Sequence, residues 1–559
     1  MVKRIRPNAR LAAVILGGIC MGATAAPIRA WPLAWVALVP LWATVSLSSE
    51  WPVKSLTQSI RVAVGYGFVW GFLYSGITMH WLWSLHPLTW MGVPWLASLA
   101  IAAFCWGTAA IAGGLWMGSW AALFTGLTTW IAARRGDSRQ SWSYRTGAIV
   151  HRILLGLGLW VGLDAMMQQG ILYWPSLALT QSPDNLAALH LSRLSGPSTL
   201  SVAIVAVNAL LAEAWLQARQ QSGGAERATE RPLSGGNSIT HSLVPSSRSL
   251  IALALGTLLS AHGLGLLLFY LPAESGTPLT VGIIQGNIPT RIKLYSDGIR
   301  RALQGYTRGY HALVDGGAEL VVLPEGALPF RWLPDRPADG GENPMAKAIR
   351  DRGVAAVVGT FATKENHLTQ SLLAVAGNGQ IVGRYDKVKL VPLGEYIPLQ
   401  NSLGRVISRL SPIQSDMVPG QYHQAFQTPV GQAIAGICYE SAFSHLFRNQ
   451  AAAGGTVIIT ASNNDPYPPA MMAQHHAQDL MRAIETNRWA VRATNTGYSG
   501  IIDPRGRTRW RADANRYVLK LATVEQRTTQ TIYVRWGDWL TPLLLAANAL
   551  WLMFWRRTL

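Results

Sequence analysis

The chain has 559 residues, 50% of them hydrophobic and only 13% charged, where soluble domains carry roughly a quarter charged residues. That balance lies well off the soluble average and points first to a membrane. The 47 Lys and Arg exceed the 28 Asp and Glu, but no basic helix or aromatic-interleaved patch accompanies them, so the excess fits cytoplasmic loops and anionic headgroups rather than nucleic acid.

Taken in chain order, apolar runs near the ~20 residues a bilayer requires fall at about 11–28, 31–48, 62–85, 92–133, 152–169, 198–217, 249–271 and 537–555. The first follows Lys3, Arg4, Arg6 and Arg10 and ends near Ala-Thr-Ala-Ala, which imitates a secretory signal; a second run starting at Trp31 favours a retained span. The run at 92–133 is too long for one simple crossing and too short for three. Arg134, Arg135, Arg139 and Arg145 follow it. With these and the amino-terminal cluster in the cytoplasm, it crosses once, as a long helix bent near Gly113-Gly114. Arg219, Arg227, Arg231 and Arg248 then lie inside too, in a Ser/Gly-rich loop.

Seven crossings from an internal start bring residue 272 outside. The expected organisation is a membrane domain over 1–274, a catalytic domain over 275–530 on the periplasmic side, and a final span with a short cytoplasmic tail over 531–559. Asp164, in the fifth run, is an intramembrane acid and so a functional candidate, unless it sits at a helix end within reach of water.

Between 278 and 527 the pattern changes to short β-rich runs separated by helical stretches. Leu279–Gln285, Leu320–Pro324, Ala355–Gly359, Ala433–Cys438 and Thr456–Thr460 read as buried strands. Ser371–Ala376 and Ile381–Tyr385, joined through Gly377-Asn378-Gly379, read as a hairpin, and Met471 to Trp489 is helical in pattern. Mixed strands and helices over about 250 residues indicate one α/β or α+β domain with its own core.

Three cysteines cannot build a disulfide framework. Cys20 and Cys105 fall in apolar runs, where cysteine acts as a small hydrophobe; Cys438, in Ala-Gly-Ile-Cys-Tyr-Glu, has polar neighbours. Glu325, in Val-Val-Leu-Pro-Glu-Gly, and Cys438 both end predicted buried strands, where open α/β sheets hold ligands. Lys387 follows in Arg-Tyr-Asp-Lys-Val-Lys-Leu-Val-Pro. A thiol is mostly protonated near neutral pH, so nucleophilic work needs a base in reach and a nearby cation. Glu325 is suited to the first task. Lys387 suits the second, and with a backbone N–H beside Cys438 it can also stabilise an oxyanion. A lone Glu or Lys in a loop is more often a solvated surface group; the combination carries the reading. No metal-ligand spacing is present, since His475 and His476 are adjacent rather than a helical turn apart.

At these three stations the chain resembles the nitrilase superfamily, which implies an αββα sandwich and a Glu, Lys, Cys triad in this order. The resemblance sharpens to the apolipoprotein N-acyltransferase family through Gln285-Gly286-Asn287-Ile288-Pro289, Leu393-Gly394-Glu395-Tyr396-Ile397-Pro398, Arg482-Ala483-Ile484-Glu485-Thr486, Ala493-Thr494-Asn495-Thr496-Gly497 and Ile502-Asp503-Pro504-Arg505-Gly506. Val205 to Trp215 and Tyr173-Trp174-Pro175 resemble membrane segments of the same family. The family's roles fall on Glu325 as general base, Lys387 as oxyanion and thiolate partner and Cys438 as nucleophile. Glu395 corresponds to a further active-site glutamate, and Tyr439 and Glu440 to supporting residues, with packing and surface solvation as their alternatives.

The implied reaction moves an acyl chain from a membrane phospholipid, through a thioester on Cys438, to the α-amine of a diacylated apolipoprotein in the bacterial inner membrane, without cofactor or metal. A membrane-tethered amidase or nitrilase acting on small amides, and a non-enzymatic membrane protein, are the alternatives. Leu294, Gln370 and Tyr467 depart from the family pattern, where Trp, Asn and Trp are usual. Trp332, Leu333, Met471 and Met472 are candidates for a lipid-facing entrance, with core packing as the alternative.

Overall fold

A computed structural model describes residues 6–50, 55–133, 142–229, 245–272, 275–332, 343–396 and 417–557. The apolar runs of the first half become helices α1 (Pro7–Gly22), α2 (Val39–Glu50), α3 (Leu56–Thr78), α4 (Trp95–Ala133), α5 (Trp142–Gln169), α6 (Pro197–Thr229) and α7 (Ser247–Tyr270). Among the described residues, six helical stretches are long and apolar enough to cross a membrane: Trp31–Ser48, Leu56–Thr78, Trp95–Ala133, Thr146–Gln169, Pro197–Gln221 and Ser247–Tyr270. The first and last expected runs correspond to shorter apolar helices, Pro7–Gly22 and Leu540–Met553. At 1.5 Å per residue α1 rises only about 24 Å, less than the ~30 Å hydrocarbon layer.

Two differences from the sequence reading have physical causes. The third helix starts earlier than expected because Ser55 caps it, its side chain accepting from the Gln58 N–H, and it gives way to a 3-10 turn at His80–Leu85. The helix α4 runs unbroken through Gly113 and Gly114, whose function is close approach to α3. A Cβ on Gly71 would collide with the Gly113 carbonyl, and one on Gly113 with the Ser75 side chain. Gly67, Gly71 and Ser75 thus form a small-residue seam at four-residue spacing. Gly71→Leu is therefore expected to lower the thermal midpoint in detergent by overpacking this seam, at a cost of about 1–3 kcal/mol.

Two buried acids of the membrane half are each held by hydrogen bonds, Glu213 to a cation and Asp164 to neutral groups. Glu213 on α6, fully buried, accepts both arms of Arg152 on α5 (2.8 and 2.5 Å) and the Trp42 indole N–H (3.2 Å). Asp164 lies near the carboxyl end of α5, where it accepts from Gln168 Nε2 (3.0 Å) and the Tyr173 hydroxyl. It lies within the last two turns of the helix, but it is buried, so the arrangement within reach of water is not the one found.

The polar half contains strands β1 (Thr277–Gln285), β2 (Leu320–Val322), β3 (Leu328–Arg331), β4 (Ala355–Lys364), β5 (His367–Val375), β6 (Ile381–Asp386), β7 (Phe426–Thr428), β8 (Gly431–Ile437), β9 (Ile458–Ser462), β10 (Ala490–Thr494), β11 (Gly500–Ile502), β12 (Thr508–Arg511) and β13 (Val518–Gln526). One sheet has the order β13-β1-β2-β4-β5-β6, with β3 beside β4; the other runs β12-β11-β10-β9-β8-β7. In both, parallel pairs occupy the centre and antiparallel pairs the flanks. The expected hairpin is the β5–β6 pair.

Strand alternation sorts the side chains between layers. Val281 and Ile283 of β1 face Ala435 and Ile437 of β8 between the sheets, while Ile284 and Val321 turn outwards. The outer face of the first sheet is covered by α8 (Ser296–Asp315) and α9 (Pro344–Arg352) through Tyr306, Tyr310 and Ile349. The outer face of the second is covered by α10 (Ser444–Ala452) and α11 (Pro469–Thr486). Residues of α10 and α11, including Phe447, Leu480 and Ile484, share one apolar cluster with Leu179, Leu189 and Val205 of the membrane half. The layers are α, β, β, α, and the last helical layer also packs on the membrane helices. A final helix, α12 (Leu540–Arg557), packs against α5.

Candidate active site

Each expected residue stands just beyond a strand. After β2, Leu323 and Pro324 lead to Glu325, and the chain turns at Gly326 with φ +53°; a Cβ on Gly359 of β4 would strike the Pro324 carbonyl, so the two strands must approach without a side chain there. Lys387 follows β6 directly. Cys438 follows β8 and opens a 3-10 turn over Cys438–Ala442, with φ +52°, in the left-handed region. Stacking the two sheets brings these three strand ends to one place.

Lys387 is the centre of the cluster. Its ammonium, fully buried, donates to Glu325 Oε1 at 3.0 Å and to Glu395 Oε1 at 2.7 Å. The second oxygen of Glu325 accepts the Asn463 backbone N–H (2.8 Å), and that of Glu395 accepts the Val391 N–H (2.8 Å). Burial works against the Lys387 charge, but Glu325 and Glu395 together outweigh it and hold the ammonium well above its ordinary pKa. Burial raises the Glu395 carboxyl above the usual carboxylate range despite Lys387. The Cys438 thiol is pushed up to about 12, by burial first and then by the Glu325 charge, with Lys387 opposing. Two carboxylates and one ammonium therefore surround a resting neutral thiol. Such a cluster is suited to moving the thiol proton to a carboxylate as sulfur bonds to carbon, rather than to storing a standing thiolate.

The remaining sequence candidates tie this cluster to its surroundings. Glu440 is fully buried; it accepts the N–H groups of Val388 (2.6 Å) and Lys389 (3.2 Å) on one oxygen and that of Ile437 (2.7 Å) on the other, and the Tyr385 hydroxyl donates to it. It thereby fixes the strand end bearing Lys387 against the strand end bearing Cys438. Burial pushes its carboxyl up to about 7. Tyr439 reaches the membrane half: its hydroxyl donates to the Ile171 carbonyl (3.0 Å) and accepts the Tyr173 N–H (2.9 Å), and its ring lies parallel to Trp174. Lys389 adds a third tie, donating to the Gln169 carbonyl (3.2 Å) at the carboxyl end of α5.

Lys293 also belongs to the cluster, although the sequence reading did not select it. Its buried ammonium donates to the Glu325 carbonyl at 2.9 Å, and burial lowers its pKa to about 8. No local pattern marks it, because its partner is a main-chain atom on a different strand end. Leu294 beside it is partly exposed, and Gln370 is buried, its carbonyl accepting the Lys387 N–H (2.8 Å). Tyr467 is packed edge-on against Trp81 of the membrane half. Met471 joins Trp81 and Trp174 in a small apolar cluster, Met472 is buried, and Trp332 packs in the core beneath α8 and α9. These three are thus packed residues; Leu333 lies outside the described residues.

Comparison with known families matches residues 280–533 to carbon-nitrogen hydrolase and residues 17–210 to the apolipoprotein N-acyltransferase N-terminal domain. The apolipoprotein N-acyltransferase of Nostoc sp. is 45% identical over 96% of this chain and 98% of its own. Those of Thermosynechococcus vestitus and Synechocystis sp. are each 40% identical, over 94% and 95% of this chain and 91% and 98% of theirs. Among solved structures, Saccharomyces cerevisiae Nit3, of the nitrilase superfamily, is 16% identical over 45% of this chain and 91% of its own, with a TM-score of 0.34. With near full-length identity to three such relatives and both halves matched by their own models, the chain belongs to the apolipoprotein N-acyltransferase family.

Proposed function

We propose that this acyltransferase works in two half-reactions through Cys438, taking its acyl group from a membrane phospholipid and giving it to the free α-amine of a diacylglyceryl-cysteine on an apolipoprotein. The observation that carries the reading is the buried Glu325–Lys387–Glu395 cluster around a neutral thiol, on a domain whose α10 and α11 layer is embedded against membrane helices. In the first half-reaction the sulfur attacks the ester carbonyl while Glu325 takes the thiol proton. Lys387 and a backbone N–H beside Cys438 stabilise the oxyanion. Collapse breaks the C–O bond, the proton passes from Glu325 to the leaving alkoxide, and lysophospholipid departs. In the second, the neutral amine attacks the thioester, Glu325 takes its surplus proton, and the proton returns to the sulfur as the amide forms. A thioester suits this order, because it keeps the acyl group activated until the amine arrives.

The half-reactions separate experimentally. Purified protein given labelled phospholipid alone should release lysophospholipid only up to the amount of enzyme, and continuous release should begin when a diacylated lipopeptide is added. Steady release of free fatty acid without any amine would overturn the transferase reading in favour of a hydrolase.

Glu395 has a supporting part in this scheme. By sharing the Lys387 ammonium it keeps that cation from neutralising Glu325 alone, so Glu395→Gln should tighten the remaining pair and weaken the base. Acylation slowed by roughly tenfold to a hundredfold is expected, measured as the rate of the lysophospholipid burst. A wild-type rate would demote Glu395 to a structural group.

Orientation is argued from charge: Arg134, Arg135 and Arg139 between α4 and α5, and Arg219 and Arg227, which lie in the carboxyl-terminal part of α6 rather than in the expected loop, favour a cytoplasmic side for those ends, so the catalytic half faces the periplasm of a bacterial inner membrane. Ser238 and Asp335, the positions suited to labelling, lie outside the described residues. A membrane-impermeant thiol reagent on spheroplasts should modify Asp335→Cys readily and Ser238→Cys poorly. The reverse pattern would put the active site in the cytoplasm.

A further inference from the structure

The carbonyl of Cys438 is held by a side chain that the reaction scheme above does not use. His475, on α11, approaches it through Nε2 at 2.8 Å. A carbonyl only accepts, so Nε2 carries the hydrogen. The other ring nitrogen faces Asn464 Nδ2 at 3.1 Å, and Asn464 Oδ1 faces Arg492 Nη2 at 3.3 Å. A guanidinium only donates, which turns the Asn464 oxygen towards Arg492 and its amide N–H towards His475. Both sides therefore impose the same neutral, Nε2-protonated imidazole. Burial first, with Arg492 adding, lowers its pKa to about 3, so it stays neutral across the working range. Arg492 is in turn paired with Asp479, which accepts from Thr460 at 2.8 Å.

The residue before His475 fixes where that imidazole stands. Gln474 donates to the carbonyls of Ala26 (2.9 Å) and Thr78 (3.0 Å) and accepts from the indoles of Trp174 (2.8 Å) and Trp81 (3.3 Å). All four partners belong to the membrane half.

We propose that His475 is a positioning residue for acyl transfer: by donating to the Cys438 carbonyl it sets the 438–439 peptide plane, and so aims the Tyr439 N–H at the oxyanion. In a trans peptide the C=O and N–H point to opposite sides, so holding the carbonyl on the α11 side turns the Tyr439 N–H away from that helix. The geometry matters because Cys438 is a non-glycine residue at φ +52°, a conformation that persists only where its surroundings impose it. This role rests on the assignment of Cys438 as nucleophile.

The test compares two reactions of the same sulfur in the full-length protein. Acylation by phospholipid builds an oxyanion; alkylation by iodoacetamide displaces iodide and builds none. His475→Ala is expected to slow acylation by roughly tenfold to a hundredfold, somewhat less than removal of an oxyanion donor itself, while alkylation of Cys438 stays within about twofold. His475→Gln, whose amide N–H can reach the same carbonyl, should recover part of the acylation rate. Unchanged acylation in His475→Ala would overturn the proposal, as would an equal loss in both reactions that His475→Gln does not relieve, since that is a structural role. A wild-type protein that is alkylated at Cys438 yet forms no acyl adduct would instead sink the nucleophile assignment, and this role with it.

Discussion

Cys438→Ala is expected to reduce acyl transfer by more than about a thousandfold, and to abolish the acyl adduct that wild-type protein forms with phospholipid alone. The adduct should appear by mass spectrometry on the peptide containing Cys438 and be released by hydroxylamine, as a thioester is. Stability should hardly change. Alanine keeps the Cβ, so the backbone at φ +52° is no more strained than before, and the lost thiol is neutral at rest, held so by burial first and then by the Glu325 charge. Cys438→Gly makes the complementary case: it also removes the nucleophile, but it relieves the left-handed strain and should raise the thermal midpoint by an amount equivalent to about 1 kcal/mol. An adduct of equal yield in Cys438→Ala would place the acyl group on another residue and end the assignment.

Much of this site was legible in the sequence because Glu325 and Cys438 each follow a run of buried strand residues, and Lys387 a strand that turns inwards only at Tyr385 and Asp386, each with a recognisable local motif. What escaped is what depends on stacking two sheets. Lys293 and His475 act on the carbonyls of Glu325 and Cys438, and main-chain partners leave no mark in a side-chain pattern. The strand β10 escaped because Arg492 stands in its middle and reads as a surface cation, yet it is fully buried against Asp479. Glu213 was passed over for the same reason, since its partner Arg152 lies on another helix. In α11 the helical period was clear, but nearly every residue from Met471 to Thr486 is buried. A helix sandwiched between a sheet and a membrane domain has no solvent face, and so loses the polar stripe that would have revealed its orientation. The glycines at 113 and 114 suggested a bend only because periodicity says nothing about the neighbouring helix they accommodate.

Lys387→Met should be the most damaging change at the site after loss of the thiol, and it should damage stability as well as rate. Wild-type Lys387 holds two carboxylates at 3.0 and 2.7 Å in a fully buried setting. Without the cation, Glu325 and Glu395 face each other's charge with no compensation, and removing one partner of a buried pair costs about 3–5 kcal/mol. The cost has a definite pH dependence. In the variant, burial and mutual repulsion raise the folded-state carboxyl pKa above its unfolded value, as burial already does for Glu395 beside the lysine. A raised carboxyl stabilises the fold fully below the unfolded pKa, and that contribution is lost as pH rises through the folded one. The variant should therefore unfold closest to the wild type near pH 5 and fall progressively further below it towards pH 8, where acylation should also be reduced by at least about a thousandfold for want of the oxyanion's cation. Thermal unfolding of both proteins in the same detergent at a series of pH values reads the first effect, and the lysophospholipid burst reads the second. A gap between the two midpoints that does not widen with pH would mean that the two carboxylates are not held against each other by Lys387, and a normal burst would remove Lys387 from the chemistry.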